Sequence, residues 1–257
     1  MRGYNAAILA AGLGVGIFGG MFGLGGGIIM VPLLLYLFKK DIHTATATSL
    51  AVIGPLAVSG TVGNILSGKI IWTAFFAMSA GSVIGAYAGA GLSKKVPKAA
   101  LRKALGYAVM LTAVSMVIFP AKAVDEKLVL VDTGLISLLL MFLSGLAVGV
   151  FAGMLGLGGG IILNPIMLFG FGFTAQQTVA TSLAIIAPTS LSGSIKQYRS
   201  GHIDLKLFLL LAGGACAGSF AGAKIKDHIN NEDLKILLGV VVFLIALFII
   251  LKKSGKE

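Results

Sequence analysis

Charged residues make up only 11% of this 257-residue chain, and the acidic ones number 9. A water-soluble domain carries about a quarter charged residues, so a soluble enzyme is excluded at the outset. Every carboxylate falls in a loop or terminus of the apolar pattern: Asp41, Asp125, Glu126, Asp132, Asp204, Asp227, Glu232, Asp233 and Glu257. A carboxylate among apolar spans is what binds a cation or relays protons inside a membrane, and without one a cation pump is disfavoured. Cysteine occurs once, as Cys216, which precludes an internal disulfide. His43, His202 and His228 fall in or near loops, with no His/Asp/Glu metal set and no Ser–His–Asp arrangement. No nucleotide motif is present either. The expectation is a chain with no cofactor, no metal and no enzymatic activity, which does not hydrolyse ATP.

What the chain has instead is apolar length. Hydrophobic residues reach 57% and mean hydropathy is +1.01. Leu234–Leu251 contains one charge, Lys235, and Gly134–Gly172 contains none. Apolar stretches of 18 or more read as membrane spans, so the sequence predicts an all-α integral membrane protein whose first partner is the lipid bilayer. The net charge of +11 sits in short loops, where cations set topology against an anionic surface. No basic face interleaved with aromatics exists, so no nucleic-acid partner is expected. Glycine, at 37 residues, is about twice its average usage; in membrane helices it marks close packing or deliberate breaks.

A shift of 133 residues lays one half on the other without a gap. Gly16-Ile-Phe-Gly-Gly-Met-Phe-Gly-Leu-Gly-Gly-Gly-Ile-Ile-Met-Val-Pro32 lies over Gly149-Val-Phe-Ala-Gly-Met-Leu-Gly-Leu-Gly-Gly-Gly-Ile-Ile-Leu-Asn-Pro165. Ala47-Thr-Ser-Leu-Ala51 lies over Ala180-Thr-Ser-Leu-Ala184, and across 16–60 against 149–193 23 of 45 positions are identical. The chain is a duplication: a first membrane repeat over 1–122, a linker loop at 123–132, and a second repeat over 133–257. The apolar N-terminus imitates a signal peptide, but its recurrence deep in the chain argues that it belongs to the fold.

Each half holds four apolar segments, roughly 5–38, 44–66, 70–92 and 104–120, then 133–171, 177–195, 207–223 and 236–251. The leading segments, 34 and 39 residues long, exceed one crossing and are interrupted by Gly23–Gly27 and Gly156–Gly160. A glycine-broken helical hairpin, or two short crossings, returns the chain to the side it left. With that return, Lys and Arg divide 14 against 6 between the two sides, a usable positive-inside bias. Lys39-Lys40 also become Gly172-Phe173, and Lys94-Lys95 become Asp227-His228, as if those loops now faced the other way. Each half then crosses an odd number of times, and the expectation is two inverted repeats, each a broken hairpin followed by three transmembrane helices. Such repeats recur among secondary transporters, which bind substrate where broken helices meet.

The candidate site follows. Gly25, Gly26 and Gly27, with Gly158, Gly159 and Gly160, offer main-chain amides at the start of a helix, where the macrodipole adds roughly half a positive charge. Two such termini can hold an anion without a buried Lys or Arg; the other reading is that these glycines serve tight packing. Thr48, Ser49, Thr181 and Ser182 open the next helix of each half. Their hydroxyls can donate to an anion or bond back to the backbone. Gln176 and Gln177 lie near the same turn, and Asn64 and Gln197 occupy equivalent repeat positions. Asn164 replaces Val31 beside the proline and adds a polar side chain to one half only. Pro55 and Pro188 interrupt helices, as kinks or as sources of free carbonyls. Gly81/Gly85/Gly89 and Gly214/Gly218/Gly222 have the four-residue spacing of a packing face, and Trp72, Tyr36 and Tyr107 suit the membrane interface.

Two copies of Gly-Leu-Gly-Gly-Gly-Ile-Ile-x-x-Pro, each followed by Ala-Thr-Ser-Leu, resemble the TauE/SafE family over essentially the whole chain. The matching positions are Gly23, Gly25, Gly26, Gly27, Pro32, Thr48 and Ser49, then Gly156, Gly158, Gly159, Gly160, Pro165, Thr181 and Ser182. The resemblance implies an ATP-independent carrier in a prokaryotic cytoplasmic membrane, moving small sulfur oxyanions or sulfonates such as sulfite, thiosulfate or organosulfonates. The expected mechanism is alternating access by rocking of one half against the other. The alternatives are a passive anion channel, a permease for another small organic anion, or a membrane-embedded enzyme or accessory subunit, for which the sequence shows no reactive group, and homo-oligomerisation is left open.

Overall fold

The computed structural model describes residues 2–92, 134–199 and 201–251, and among them every regular element is helical. The expected fourth span at 104–120, the linker at 123–132 and Tyr107 lie outside the described residues. The elements are α1 (Arg2–Phe22), α2 (Gly27–Pro32) with a π-helical turn Leu33–Leu37, α3 (Ile42–Leu66) and α4 (Trp72–Leu92) in the first half. The second half gives α5 (Leu135–Leu155), α6 (Gly160–Pro165) with a π-helical turn Ile166–Gly170, α7 (Ala175–Arg199), α8 (Leu205–Asp227) and α9 (Asn231–Leu251). Six described helices, α1, α3, α4, α5, α7 and α8, are long and apolar enough to cross a membrane. Their outer faces carry exposed leucine and isoleucine, with Leu135 83% and Ile136 74% exposed on α5. Trp72 and Tyr36 are also exposed.

Helix packing is set by glycine. Cβ atoms added at Gly12, Gly16 and Gly20 of α1 would lie 2.4, 2.3 and 2.3 Å from the carbonyl oxygens of Leu211, Ala215 and Ser219 on α8. In return, Cβ atoms added at Gly214, Gly218 and Gly222 would lie 2.1, 2.2 and 2.3 Å from the carbonyl oxygens of Leu9, Leu13 and Ile17. The duplicated contact joins α4 to α5: Cβ atoms added at Gly81, Gly85 and Gly89 would lie 2.1, 2.2 and 2.1 Å from the carbonyl oxygens of Phe142, Leu146 and Val150. Those added at Gly145, Gly149 and Gly153 would lie 2.2 Å from the carbonyl oxygens of Met78, Ser82 and Ala86. With little hydrophobic drive between helices in lipid, such backbone-to-backbone contact is what associates them. The glycine series are packing faces, and their partners lie in the opposite half of the chain.

Residue numbers rise together along both pairs, so α1 runs parallel to α8, and α4 parallel to α5. Helix α3 also runs with α8: the Asp204 amide, entering α8, donates to Thr48 Oγ1 at 3.0 Å near the start of α3. At the other end the Ser67 hydroxyl, just past α3, donates to Asp227. The short turn after Ser67 sends α4 back, and α5 follows α4. Helices α1 and α5 therefore run in opposite directions. We call the face where α1, α3 and α8 begin the near face, and its opposite the far face.

The arm after the first break turns back. A Cβ on Gly26 would lie 2.6 Å from Val15 Cγ1 on α1. Lys40, beyond that arm, pairs at 2.8 Å with Asp204, which caps α8 on the near face. Gly27–Leu37 covers about 16 Å at 1.5 Å per residue, about half the roughly 30 Å hydrocarbon core. Of the two arrangements open to the sequence, the first leading segment adopts the hairpin. The Lys39-to-Gly172 difference also has a conformational side, because both positions take positive φ, 50° and 68°.

The steric argument makes a direct prediction. Gly85→Ala places a Cβ 2.2 Å from Leu146 O, whereas Gly14 has nothing within 4 Å. In detergent, Gly85→Ala lowers thermal stability by about 1–3 kcal/mol, the usual range for overpacking, or abolishes the monodisperse species. Gly14→Ala leaves both unchanged.

Candidate functional site

Both breaks are left-handed glycine turns. Gly23, Gly25 and Gly26 have φ of 67°, 70° and 72°; Gly156, Gly158 and Gly159 have 68°, 78° and 83°. An L side chain in that region costs about 1–2 kcal/mol per residue, so Gly-Leu-Gly-Gly records which positions turn. The last glycine answers a different need. A Cβ on Gly27 would lie 2.7 Å from the Leu157 backbone, and one on Gly160 would lie 2.4 Å from Gly23 O. The two breaks thus touch, main chain to main chain.

They meet halfway along the bundle. A Cβ added at Gly25 would lie 3.2 and 3.3 Å from Ile53 Cγ2 and Ile186 Cγ2, and one at Gly158 would lie 3.1 and 3.5 Å from the same two atoms. Ile53 and Ile186 are fully buried and sit near the midpoints of α3 and α7. From this meeting point α2 and α6 set out. Their first intrahelical bonds run from Ile29 and Met30 to Gly26 O, and from Ile162 and Leu163 to Gly159 O. The amides of Gly27, Ile28, Gly160 and Ile161 come before those bonds and have no intrahelical acceptor by position.

The hydroxyls point elsewhere than the sequence suggested. Ser182 donates to Gly23 O at 2.8 Å and Ser49 to Gly156 O at 3.1 Å. Each fastens the first glycine of the break opposite its own half. Asn164 donates to Phe22 O at 2.8 Å, while its buried Oδ1 takes no hydrogen bond. Thr48 and Thr181 accept from the amides of Asp204 and Ile71, both at 3.0 Å, and fix the loops entering α8 and α4. Gln177 caps α7 by accepting from the Thr174 amide at 3.0 Å. The structure therefore brings Gly25, Gly26, Gly27, Gly158, Gly159, Gly160, Ser49, Ser182 and Asn164 to the breaks. The hydrogen bonds of Thr48, Thr181 and Gln177 lead to loops.

Two charges depart from the sequence reading. Lys226, counted there with the loop cations, is fully buried, and its ammonium donates to Asn64 Oδ1. Asp227 ends α8 rather than lying in a loop. A signal for Lys226 existed, since it continues the four-residue series Gly214, Gly218, Gly222 on the inward stripe of α8. On the near face, burial raises the Asp204 carboxyl, but the Lys40 ammonium and the Leu207 amide outweigh it and hold the group below its ordinary value. His43 and His202 stack nearby, with ring centroids 5.8 Å apart.

A family profile described as sulfite exporter TauE/SafE matches residues 2–116 and 141–257, one match per half. The chain belongs to the TauE/SafE sulfite exporter family. Among its relatives, the probable membrane transporter protein YunE of Bacillus subtilis (strain 168) is 28% identical over 93% of this chain and 94% of its own length. The probable membrane transporter protein MJ0441 of Methanocaldococcus jannaschii is 26% identical over 95% and 94%. No solved structure matches the chain. Family and helices together make this member of TauE/SafE a multi-pass membrane transporter protein.

If the serines hold the breaks, Ser182→Ala strands a buried carbonyl at a cost of about 1–3 kcal/mol, and Ser49→Ala does the same. Thermal unfolding in detergent reads this directly. Gln177→Ala, at a helix end, costs about 1 kcal/mol; equal or larger loss at Gln177 would contradict the assignment.

Proposed function

We propose that this protein is a secondary transporter of small sulfur-containing anions (sulfite, thiosulfate or organosulfonates) in a prokaryotic cytoplasmic membrane, built as two inverted repeats. The observation that carries the reading is the meeting of two left-handed glycine breaks midway along α3 and α7. Two short helices start there, and the described residues place no carboxylate among the break contacts. Main-chain amides and the positive ends of α2 and α6 suit compact oxygens of low charge. Ser49, Ser182 and Asn164 hold the breaks in shape, and rearranging them is part of admitting the anion. Thr48, Thr181 and Gln177 position loops instead. The opposed directions of α1 and α5 support the inversion.

The moving units are not the sequence halves. Backbone contact locks α1 to α8 and α4 to α5. Helix α3 joins the first pair, where the Ser59 hydroxyl donates to Cys216 O at 2.7 Å. Helix α7 joins the second, where Ser192 donates to Val83 O at 2.8 Å. Between α3 and α7 the close approaches are to side-chain ends: a Cβ added at Gly54 would lie 3.1 Å from Leu191 Cδ2, and one at Gly193 would lie 2.7 Å from Leu50 Cδ2. Alternating access is then movement of α1/α3/α8 against α4/α5/α7 along that seam, around the paired breaks. With the basic near face cytoplasmic, an inside-negative potential drives an anion outward by about 2.3 kcal/mol per charge per 100 mV.

Proteoliposomes test both parts. Sulfite, thiosulfate, sulfoacetate or taurine flux saturates and shows counterflow in a carrier, while non-saturating flux without counterflow indicates a channel. In a Cys216→Ala background, Gly54→Cys with Ser190→Cys spans the seam, the Gly54 Cβ direction lying 3.6 Å from Ser190 Oγ. Oxidation of that pair stops transport and reduction restores it. Gly63→Cys with Ala223→Cys, 3.1 Å apart within one unit, leaves transport running when oxidised.

A further inference from the structure

We infer that Lys226 is the charge that receives the anion at the far-face mouth, with Asp227 as the built-in competitor it leaves. This rests on the anion-transport reading above and adds a site to it. Helix α1 ends at Phe22, level with Gly222, whose added Cβ would lie 2.9 Å from the Met21 amide. Lys226 is one turn further along α8, and its ammonium reaches Asn64 near the end of α3, at the far-face end of the bundle. It is fully buried there. An ionised side chain inside a membrane protein is costly and is retained where it faces a pathway or a partner.

Its partners do not neutralise the cluster. The Lys226 ammonium lies 3.7 Å from Asp227 Oδ1, and the Lys69 ammonium lies 3.6 Å from the same oxygen. That oxygen takes no hydrogen bond, and the other accepts from Ser67. Lys226 also bonds the neutral amide of Asn64, and Lys69 bonds the neutral amide of Gln176. Among the described residues two cations thus share one carboxylate, leaving a net positive charge in a half-buried setting. Here a small oxyanion, carrying two or more acceptor oxygens and one or two negative charges, can replace Asp227 between Lys226 and Lys69. The pieces come from both moving units and their connections: α3 and α8 on one side, the turn into α4 and the start of α7 on the other. Exchange of Asp227 for the anion loosens the far-face end of the seam. The repeat-equivalent positions are Ser93, Lys94 and His202, so the arrangement belongs to one face only.

The test uses opposite signs. In proteoliposomes with sulfite or thiosulfate as probe, Lys226→Gln raises the half-saturating concentration at the far face at least tenfold. Asp227→Asn, which keeps an acceptor for Ser67 but removes the competitor, lowers it about threefold. A merely structural cluster makes both variants worse, or moves neither constant, and either result overturns the inference. Sulfite-induced thermal stabilisation of the detergent-solubilised protein runs in parallel, lost in Lys226→Gln and enhanced in Asp227→Asn. If Lys226→Gln does not fold, Lys226→Arg serves: it keeps the charge, and unchanged half-saturation alongside the Asp227→Asn tightening supports the site, whereas no tightening in Asp227→Asn overturns it. Wild-type protein that carries neither probe, nor any sulfonate, removes the transport reading itself and this inference with it. Wild-type transport with indifferent variants removes the inference alone.

Discussion

A helix that stops inside a bilayer leaves carbonyl groups with no water to accept from, and this one requirement organises the centre of the molecule. Irregular backbone at membrane depth persists only where protein satisfies it. Ser182, Ser49 and Asn164 do so, each reaching across to the carbonyl of the opposite repeat. The glycines make the turn sterically possible, but the hydroxyls and the amide make it tolerable in a low-dielectric interior. Because each serine comes from the other half, neither break is stable without its counterpart. The meeting of the breaks is therefore a consequence of how they are satisfied, as much as a means of forming a site.

The same reciprocity runs through the outer helices. Each repeat contributes its leading helix to the other repeat's third span, through carbonyls that no side chain could approach. The closest backbone packing therefore crosses between the repeats, while the near contacts between α3 and α7 include the side chains of Leu50, Leu191 and Ser190. The proposed moving units and the sequence repeats are distinct partitions of one chain.

Much of this was legible in advance. The spans followed from apolar length, and the breaks followed from runs of five residues in which only Leu24 or Leu157 is not glycine. The four-residue glycine series announced packing faces. Their partners could not be read, because a face specifies closeness and not identity; α1 with α8 is decided by three-dimensional fit. Ser49 and Ser182 were singled out with two readings, donation to an anion or to backbone, but the sequence does not say which carbonyls a break will orphan; here each bonds a carbonyl of the opposite break. Lys226 was misplaced for a related reason. Charge counts assign a lysine near a span's end to water, whereas α8 carries Lys226 inward onto the Asn64 side chain of α3. Asn164 was singled out by its asymmetry alone, and it does hold one break that Val31 cannot mirror.

The clasp between α1 and α8 also bears on how the protein is made. Residues near 9–21 leave the ribosome well before the strip they pack on, 211–222. Until then the N-terminal helix waits in lipid with a bare groove along its side. Assembly cannot proceed repeat by repeat during synthesis, as it does in chains whose domains fold in turn. The clasp closes only after 211–222 has emerged.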